Sequence, residues 1–441
     1  MRSREITDII LSECKSEGAT DVVVSMMEMD EIMIRFSNNQ ITVTKDLKEN
    51  TANIFAFVKE RRAGTEMADL SKRSIRSAAR RVVIEAKSAP PGDVYAPLPE
   101  GPFTYSSELV NQPKIDLSPD VMVGHVEEAI EAGIEEGAKR VAGSLIARNI
   151  RLTLQTSGGV FGLTTKSSIE LSLRAFGDEY ASGHSVSISG TEDDFDPAGA
   201  GREAGMLSRL SSSPVEGEPG EYDAVLGPLV FADLVNQVGM ASSAFYVDAG
   251  LSFLDGKIGE QVASDSITIS DDGTLPGSYG SSAFDLEGLP VRKTTILERG
   301  TLKGYLHNST TAKKMEAETT ANAGLINPRA FNLVVEGEGR DDLISGVDRG
   351  IYVTNDWYLR YQNWTTGDFS MIPRDAMFLI EDGELKAPIR ELRISDNIPR
   401  MLSSVEEIGK DKRWIKWWEV ETPTLSPSAL VGSTRFTKSR M

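Results

Sequence analysis

The chain reads as an α+β protein of two domains: a mixed helix and antiparallel-sheet domain, then a large, mostly antiparallel β domain with a barrel-like rhythm. Three observations predict this. At 441 residues the chain exceeds what one compact core usually serves. Helix and strand patterns alternate through the first half, whereas strand patterns with recurrent turns dominate the second. Between them, residues 211–221 (SSSPVEGEPGE) combine Ser, Pro, Gly and acids with almost no apolar content, as a linker does. The domains are drawn at 1–210 and 222–441.

Residues 4–16 form an amphipathic helix pattern with Ile6, Ile9, Ile10 and Leu11 on its apolar face, and Cys14 continues that face. Short strand patterns follow at 21–26, 31–36, 40–45 and 52–58, with Ser37-Asn38-Asn39 as the hairpin turn between the middle two. A second helix covers 70–88. A connector over 89–102 carries Pro90, Pro91, Pro97, Pro99 and Pro102 and runs extended across the surface. Ser118-Pro119-Asp120 supplies a capping hydroxyl, a proline at the first helical position and an early acid, so a helix starts here. Its buried stripe is Met122, Val126, Ala129, Ile130 and Ile134. Strands follow at 149–155, 167–175 and 184–189, then the acidic loop Glu192-Asp193-Asp194-Phe195-Asp196 and a helix over 199–210. Beyond the linker one helix, 229–244, interrupts the strands. Turns recur at Asp255-Gly256, Asp271-Asp272-Gly273, Glu298-Arg299-Gly300 and Glu381-Asp382-Gly383.

The composition narrows the chemistry. A net charge of −19 opposes binding to nucleic acid, which depends on cationic contacts. The basic cluster Lys72, Arg73, Arg76, Arg80, Arg81 and Lys87 lies beside an apolar helical stripe and reads as a solvated face. No run of about 18 apolar residues exists to span a membrane. The N-terminal pattern lacks the apolar centre of a signal peptide, so a cytoplasmic protein is expected. The single cysteine, Cys14, rules out an internal disulfide and reads as a buried structural thiol.

Catalytic motifs are absent. His125, His184 and His307 are the only histidines and stand 59 and 123 positions apart, so no helical zinc pair can form. His184 reads as structural, and alternation in TLKGYLHNS puts His307 with Tyr305 and Lys303 toward solvent. Asp193, Asp194 and Asp196 read as a solvated loop rather than a cation site. No G-x-S-x-G elbow and no dinucleotide or phosphate loop occurs.

The densest feature is GIYVTNDWYLRYQNWTTGDFS, which places six of the chain's 30 aromatics in the 21 residues 350–370. Such a run beside Thr365-Thr366-Gly367-Asp368 suits either a sheet core or a peptide-binding cleft. Asn363, Thr366, Asp368 and Tyr361 are its candidate peptide-binding residues, with turn formation as the competing role for Thr366 and Asp368.

Several blocks in the second half run in one order. They are Glu221-Tyr222-Asp223-Ala224-Val225-Leu226-Gly227-Pro228, Asp271-Asp272-Gly273, Phe284-Asp285-Leu286-Glu287-Gly288, Leu297 to Tyr305 (LERGTLKGY), Asn327-Pro328-Arg329, Thr366-Gly367-Asp368-Phe369-Ser370 and Pro427-Ser428-Ala429-Leu430-Val431. Collinear over 220–432, they make the chain resemble the TldD/PmbA family, and specifically its PmbA (TldE) branch. The resemblance implies a two-domain α+β protein and a heteromeric peptidase that cuts unfolded peptides. In that pair a TldD-like subunit holds zinc on an H-E-x-x-x-H helix. Where such a helix would stand, this chain offers Asn236, Gln237, Val238, Gly239, Met240 and Ala241. The family's catalytic residues therefore carry over to no position here. The expected role is a non-catalytic subunit without its own cofactor, with zinc in a TldD-like partner and an unfolded peptide as ligand. The family's link to DNA gyrase is opposed by the charge. Two other readings compete: a stand-alone hydrolase with a non-metal site, and a homodimeric peptide-binding or scaffold protein.

Overall fold

The computed structural model describes residues 2–439. The first half builds a six-stranded antiparallel sheet from β1 (Asp21–Ser37), β2 (Gln40–Val58), β3 (Arg61–Met67), β4 (Arg140–Thr156), β5 (Phe161–Phe176) and β6 (Ser182–Ser189), in the spatial order β3–β2–β1–β4–β5–β6. The four short strands expected before residue 60 are two long ones. No Gly or Pro interrupts the polar stretches at 27–30 and 46–51, so the ladder runs on through them. The turn between them is Asn38-Asn39, with φ of 52° and 63°, a left-handed pair that asparagine tolerates well.

Five helices belong to this half: α1 (Ser3–Ser16), α2 (Lys72–Ser88), α3 (Ser107–Val110), α4 (Pro119–Glu135) and α5 (Pro197–Leu210). Strand alternation gives the sheet two buried faces. Val22 and Val24 face α1 and α2, joining Ile10, Cys14, Ile75 and Val82. Val23 and Leu154 point the other way, onto Phe284 and Val291 of the second half. Cys14 is fully buried, and burial pushes its thiol up to about 12, as expected of a structural cysteine. The basic face of α2 is neutralised within the chain: Arg76 and Arg80 meet Glu13 of α1, and Lys72 meets Glu5. Asp196 caps α5 through Gly199 N–H at 2.7 Å, so one acid of the 192–196 loop has a structural task. In α4, Met122, Val126, Ala129 and Ile130 are buried as expected, but Ile134 in the last turn is exposed.

The second half forms two further sheets, one of six strands and one of eleven, which are mostly antiparallel with four parallel pairings. No sheet closes into a barrel among the described residues; each runs from one edge to another. Their common core is built around α6 (Pro228–Ala241), in which every residue except Gln237 and Met240 is buried. A helix apolar on nearly all sides belongs inside a domain. It ends at Ala241, three residues short of the expected 244. The backbone of Ser242 and Ala244 pairs instead with Leu306, through two bonds of 2.8 and 3.0 Å.

Candidate functional site

Gln237 and Met240 stand three residues apart, on one face of α6, and both open into a cleft of about 510 Å³. The other face of the first sheet contributes Leu152 and Lys166, and loops of the second half supply Phe284, Asp285, Arg329 and Glu421. The cleft therefore lies where the two halves of the chain meet, a usual place for a ligand site.

The helix side of this cleft is bound up in hydrogen bonds. Asn236 donates to Thr422 O at 2.7 Å and Thr424 Oγ1 at 2.9 Å, and accepts from Thr422 N–H at 3.1 Å. Gln237 donates to Asp233 Oδ1 at 2.8 Å. Ser243 donates to Pro328 O at 2.7 Å, tying the helix end to the loop that carries Arg329. These amides hold walls together.

Behind Gln237 lies a fully buried carboxyl pair, Asp233 and Asp356. Burial pushes both carboxyls up, Asp233 to about 7, and the neighbouring Asp233 raises Asp356 further. Neither Asp356 oxygen, nor Asp233 Oδ2, has a hydrogen-bond partner among the described residues, which leaves burial uncompensated and favours the protonated acids. Glu419, at the cleft's rim, accepts from Tyr358 N–H at 2.6 Å and Arg360 at 3.2 Å.

The wall around Arg329 is also fixed. Asn322 and Arg329 exchange two backbone-linked bonds of 3.0 Å, and Asp271 gathers Asn322 and the N–H groups of Phe331 and Asn332 at 2.5–3.0 Å. Asp285 spends its carboxylate on the N–H groups of Glu287, Leu289 and Ala323 at 2.9–3.0 Å. Burial raises both acids to about 7. Two of these acids lie in the D-D-G and F-D-L-E-G blocks, whose order in the sequence was visible although their joint contribution to one wall was not.

None of the four residues singled out in the aromatic run lines the cleft. Asn363, Thr366 and Asp368 form the hairpin turn: Gly367 N–H reaches Asn363 O at 3.0 Å, and Thr366 donates to Asp368 at 2.6 Å. Asn397 clamps the turn through Thr366 O and Asp368. Tyr361 stacks on Trp364 at 4.2 Å and packs against the second-half core, and burial, then Asp233, raises its phenol. Phe369 is core, and Trp357 joins His184, Trp417 and Trp418 in an aromatic cluster against β6. The run backs the cleft through Tyr358, Arg360 and Asp356.

The histidines divide. His184 is buried and held down to about 4 by burial, with Ser172 at 3.0 Å. His307 is also buried rather than solvent-facing, because the strand ends at Leu302 and its ring turns inward to Thr311 at 3.2 Å. His125 packs against Phe195. No histidine reaches the cleft.

Residues 219–438 match the family model of the PmbA/TldA metallopeptidase C-terminal domain. The chain belongs to the TldD/PmbA family. A metalloprotease of Methanocaldococcus jannaschii is 33% identical over 204 residues, 44% of each chain. A metalloprotease TldD homolog of Buchnera aphidicola is 30% identical over 219 residues, 48% of this chain and 45% of that one. The chain thus matches less than half the length of these curated relatives. The crystal structure of TldE from Thermococcus kodakarensis superposes with a TM-score of 0.85 over 98% of this chain and all of that one, at 21% identity, which shows a shared fold.

Zinc, which the family implies, does not fit the residues of α6. The Asn236 amide is saturated by the 422–424 segment and Gln237 is tied to Asp233, while Met240 offers only a neutral thioether. Among the described residues no three His, Cys, Asp or Glu side chains are grouped to hold a metal ion.

Proposed function

We propose that this chain is the non-catalytic, PmbA/TldE-like subunit of a TldD/TldE-type zinc metallopeptidase, working in the cytoplasm on unfolded peptides. In this reading it binds a TldD-like catalytic partner and forms part of the substrate chamber, and zinc resides in that partner. The observation that carries the proposal is the construction of α6. Its only solvent-reaching side chains, Gln237 and Met240, open on a formed cleft, yet the helix supplies neither a metal ligand nor a free base. A cleft kept while chemistry is missing suits binding and positioning of a chain cut elsewhere. The relatives named metalloproteases support the reaction class.

The test mixes the purified chain with its TldD-like partner and follows cleavage of an unstructured peptide. Cleavage should require the partner, rise when this chain is added, and stop with a chelator. Chelator-insensitive cleavage by this chain alone would contradict the proposal and favour a stand-alone hydrolase. A homodimer whose size is unchanged by the partner would favour the scaffold reading.

A further inference from the structure

We infer that Lys166 and Arg329 form a carboxylate-binding site in the cleft, which takes the acidic end of a bound peptide. The inference rests on the cleft being a peptide site and adds the chemical group that anchors the peptide there. Lys166 projects from β5 on the face turned toward the second half, the face that also carries Gly162 against Phe284. Arg329 comes from the loop fixed by Asn322 and Asp271. Both side chains line the same cleft, Lys166 half-buried in its wall and Arg329 exposed at its mouth.

Neither has a carboxylate oxygen within 4.0 Å of its nitrogens among the described residues. The acids of the adjoining wall are already committed: Asp285 to three backbone N–H groups, Asp271 to two and an amide. A charged Lys166 withdrawn into a concave wall is costly without an anion beside it, and a carboxylate reaching both it and the exposed Arg329 would gain charge-assisted bonds from both. Burial, then Arg329, lowers Lys166 to about 8, the direction expected of a desolvated cation without a counter-charge.

The rest of the cleft gives the ligand a direction. Glu419 and Glu421 stand on the segment that also holds Lys416, and Lys416 reaches β5 at Glu170 with a 2.8 Å bond. Glu170 lies four residues beyond Lys166, about 13 Å along a strand. The acidic rim and the cationic pair thus sit toward different ends of one opening. A peptide lying with its carboxylate at Lys166 and Arg329 has its amino-terminal side toward the glutamates, and the reverse orientation meets like charge at both ends.

Three forms of one fluorescent pentapeptide, N-dansyl-Gly-Ala-Leu-Ala-Val, test this with the full chain by anisotropy. They are the free acid, the C-terminal amide, and the amide with Glu in place of Leu. The free acid should bind about tenfold or more tightly than the amide. Lys166→Met and Arg329→Gln, each checked for folding by thermal melting, should each reduce that preference. The preference should also fade as pH rises past about 8 and Lys166 loses its proton. Recovery of affinity by the Glu-containing amide alone would assign the same site to acidic side chains rather than chain ends. Equal binding of all three peptides, or a preference that survives both substitutions, would overturn the inference and leave peptide binding standing. No binding of any peptide would overturn both.

Discussion

Two cations on the same face of β5 meet opposite fates. Arg174 is locked against Asp375, which is fully buried in side chain, and Asp375 also accepts from Ser182, Asn355 and Trp357. Burial alone would raise the Asp375 carboxyl, but Arg174 and His184 outweigh it and hold it below its ordinary value. Eight residues earlier, Lys166 enters a cleft where, among the described residues, no carboxylate oxygen comes within 4.0 Å of it, and burial holds it down to about 8. The first arrangement fastens the two halves of the chain, because each charge finds its counterpart inside the protein. The second has no ion-pair partner among the described residues, so its counterpart is assigned to a ligand. Compensation, more than burial, separates a structural charge from a binding one.

The largest expected effect breaks the fastened side. Asp375→Ala would leave Arg174 without its anion and three donors without an acceptor, and should cost about 3–5 kcal/mol in denaturant unfolding. A loss below about 1 kcal/mol would mean the clamp does not join the halves. Lys166→Met should behave oppositely, leaving stability unchanged or raising it by about 1 kcal/mol while weakening acidic peptides. If it destabilises as Asp375→Ala does, Lys166 is a structural residue and the contrast fails.

The carboxyl pair behind Gln237 gives a pH test of intermediate size. Burial raises both Asp233, to about 7, and Asp356 above the value near 3.8 at which each loses its proton in the unfolded chain. Their contribution to stability is complete below about pH 4 and is lost as pH rises toward 7, with a slope of up to about 1.4 kcal/mol per pH unit for each proton. Asp356→Asn should flatten that decline in melts run from pH 4 to 7; an unchanged slope would mean the pair ionises in the fold. The smallest effect concerns the hairpin turn. Asp368→Ala removes exposed bonds to Thr366 and Asn397, should cost about 0.5–1 kcal/mol, and should leave peptide affinity unaltered. A loss of affinity would return the turn to the binding surface.

Much of the architecture was legible because its signals are local. The alternation of β1 and β2, the proline start of α4 and the apolar wrap of α6 each declare an element within a few turns of chain. The merging of four strand patterns into two was less visible, since polar residues in a strand resemble a loop when the partner strand is unknown. The inward turn of His307 escaped for a related reason: alternation was extended past Leu302, where the strand ends. The site was legible only in part. The absence of a zinc motif on α6 was legible, because a missing motif is a sequence fact; that its two open side chains line a cleft was not. Lys166 carried no signal, since its meaning depends on Arg329, 163 positions later, and on the acids that do not reach it. The aromatic run, read as either core or cleft wall, divides: Phe369 is core and Trp357 packs in an aromatic cluster, whereas Tyr358 and Trp364 are exposed.

The central claim is that a peptide cut by the partner lies in this chain's cleft with its acidic end at Lys166 and Arg329. A peptide carrying a photoreactive residue next to its free carboxyl terminus, irradiated with this chain and its TldD-like partner, tests it most directly. The account predicts that the cross-linked fragments contain β5 around Lys166 or the 323–331 loop, and that Arg329→Gln reduces them. Cross-links confined to the 358–368 hairpin, or to the partner alone, would contradict it.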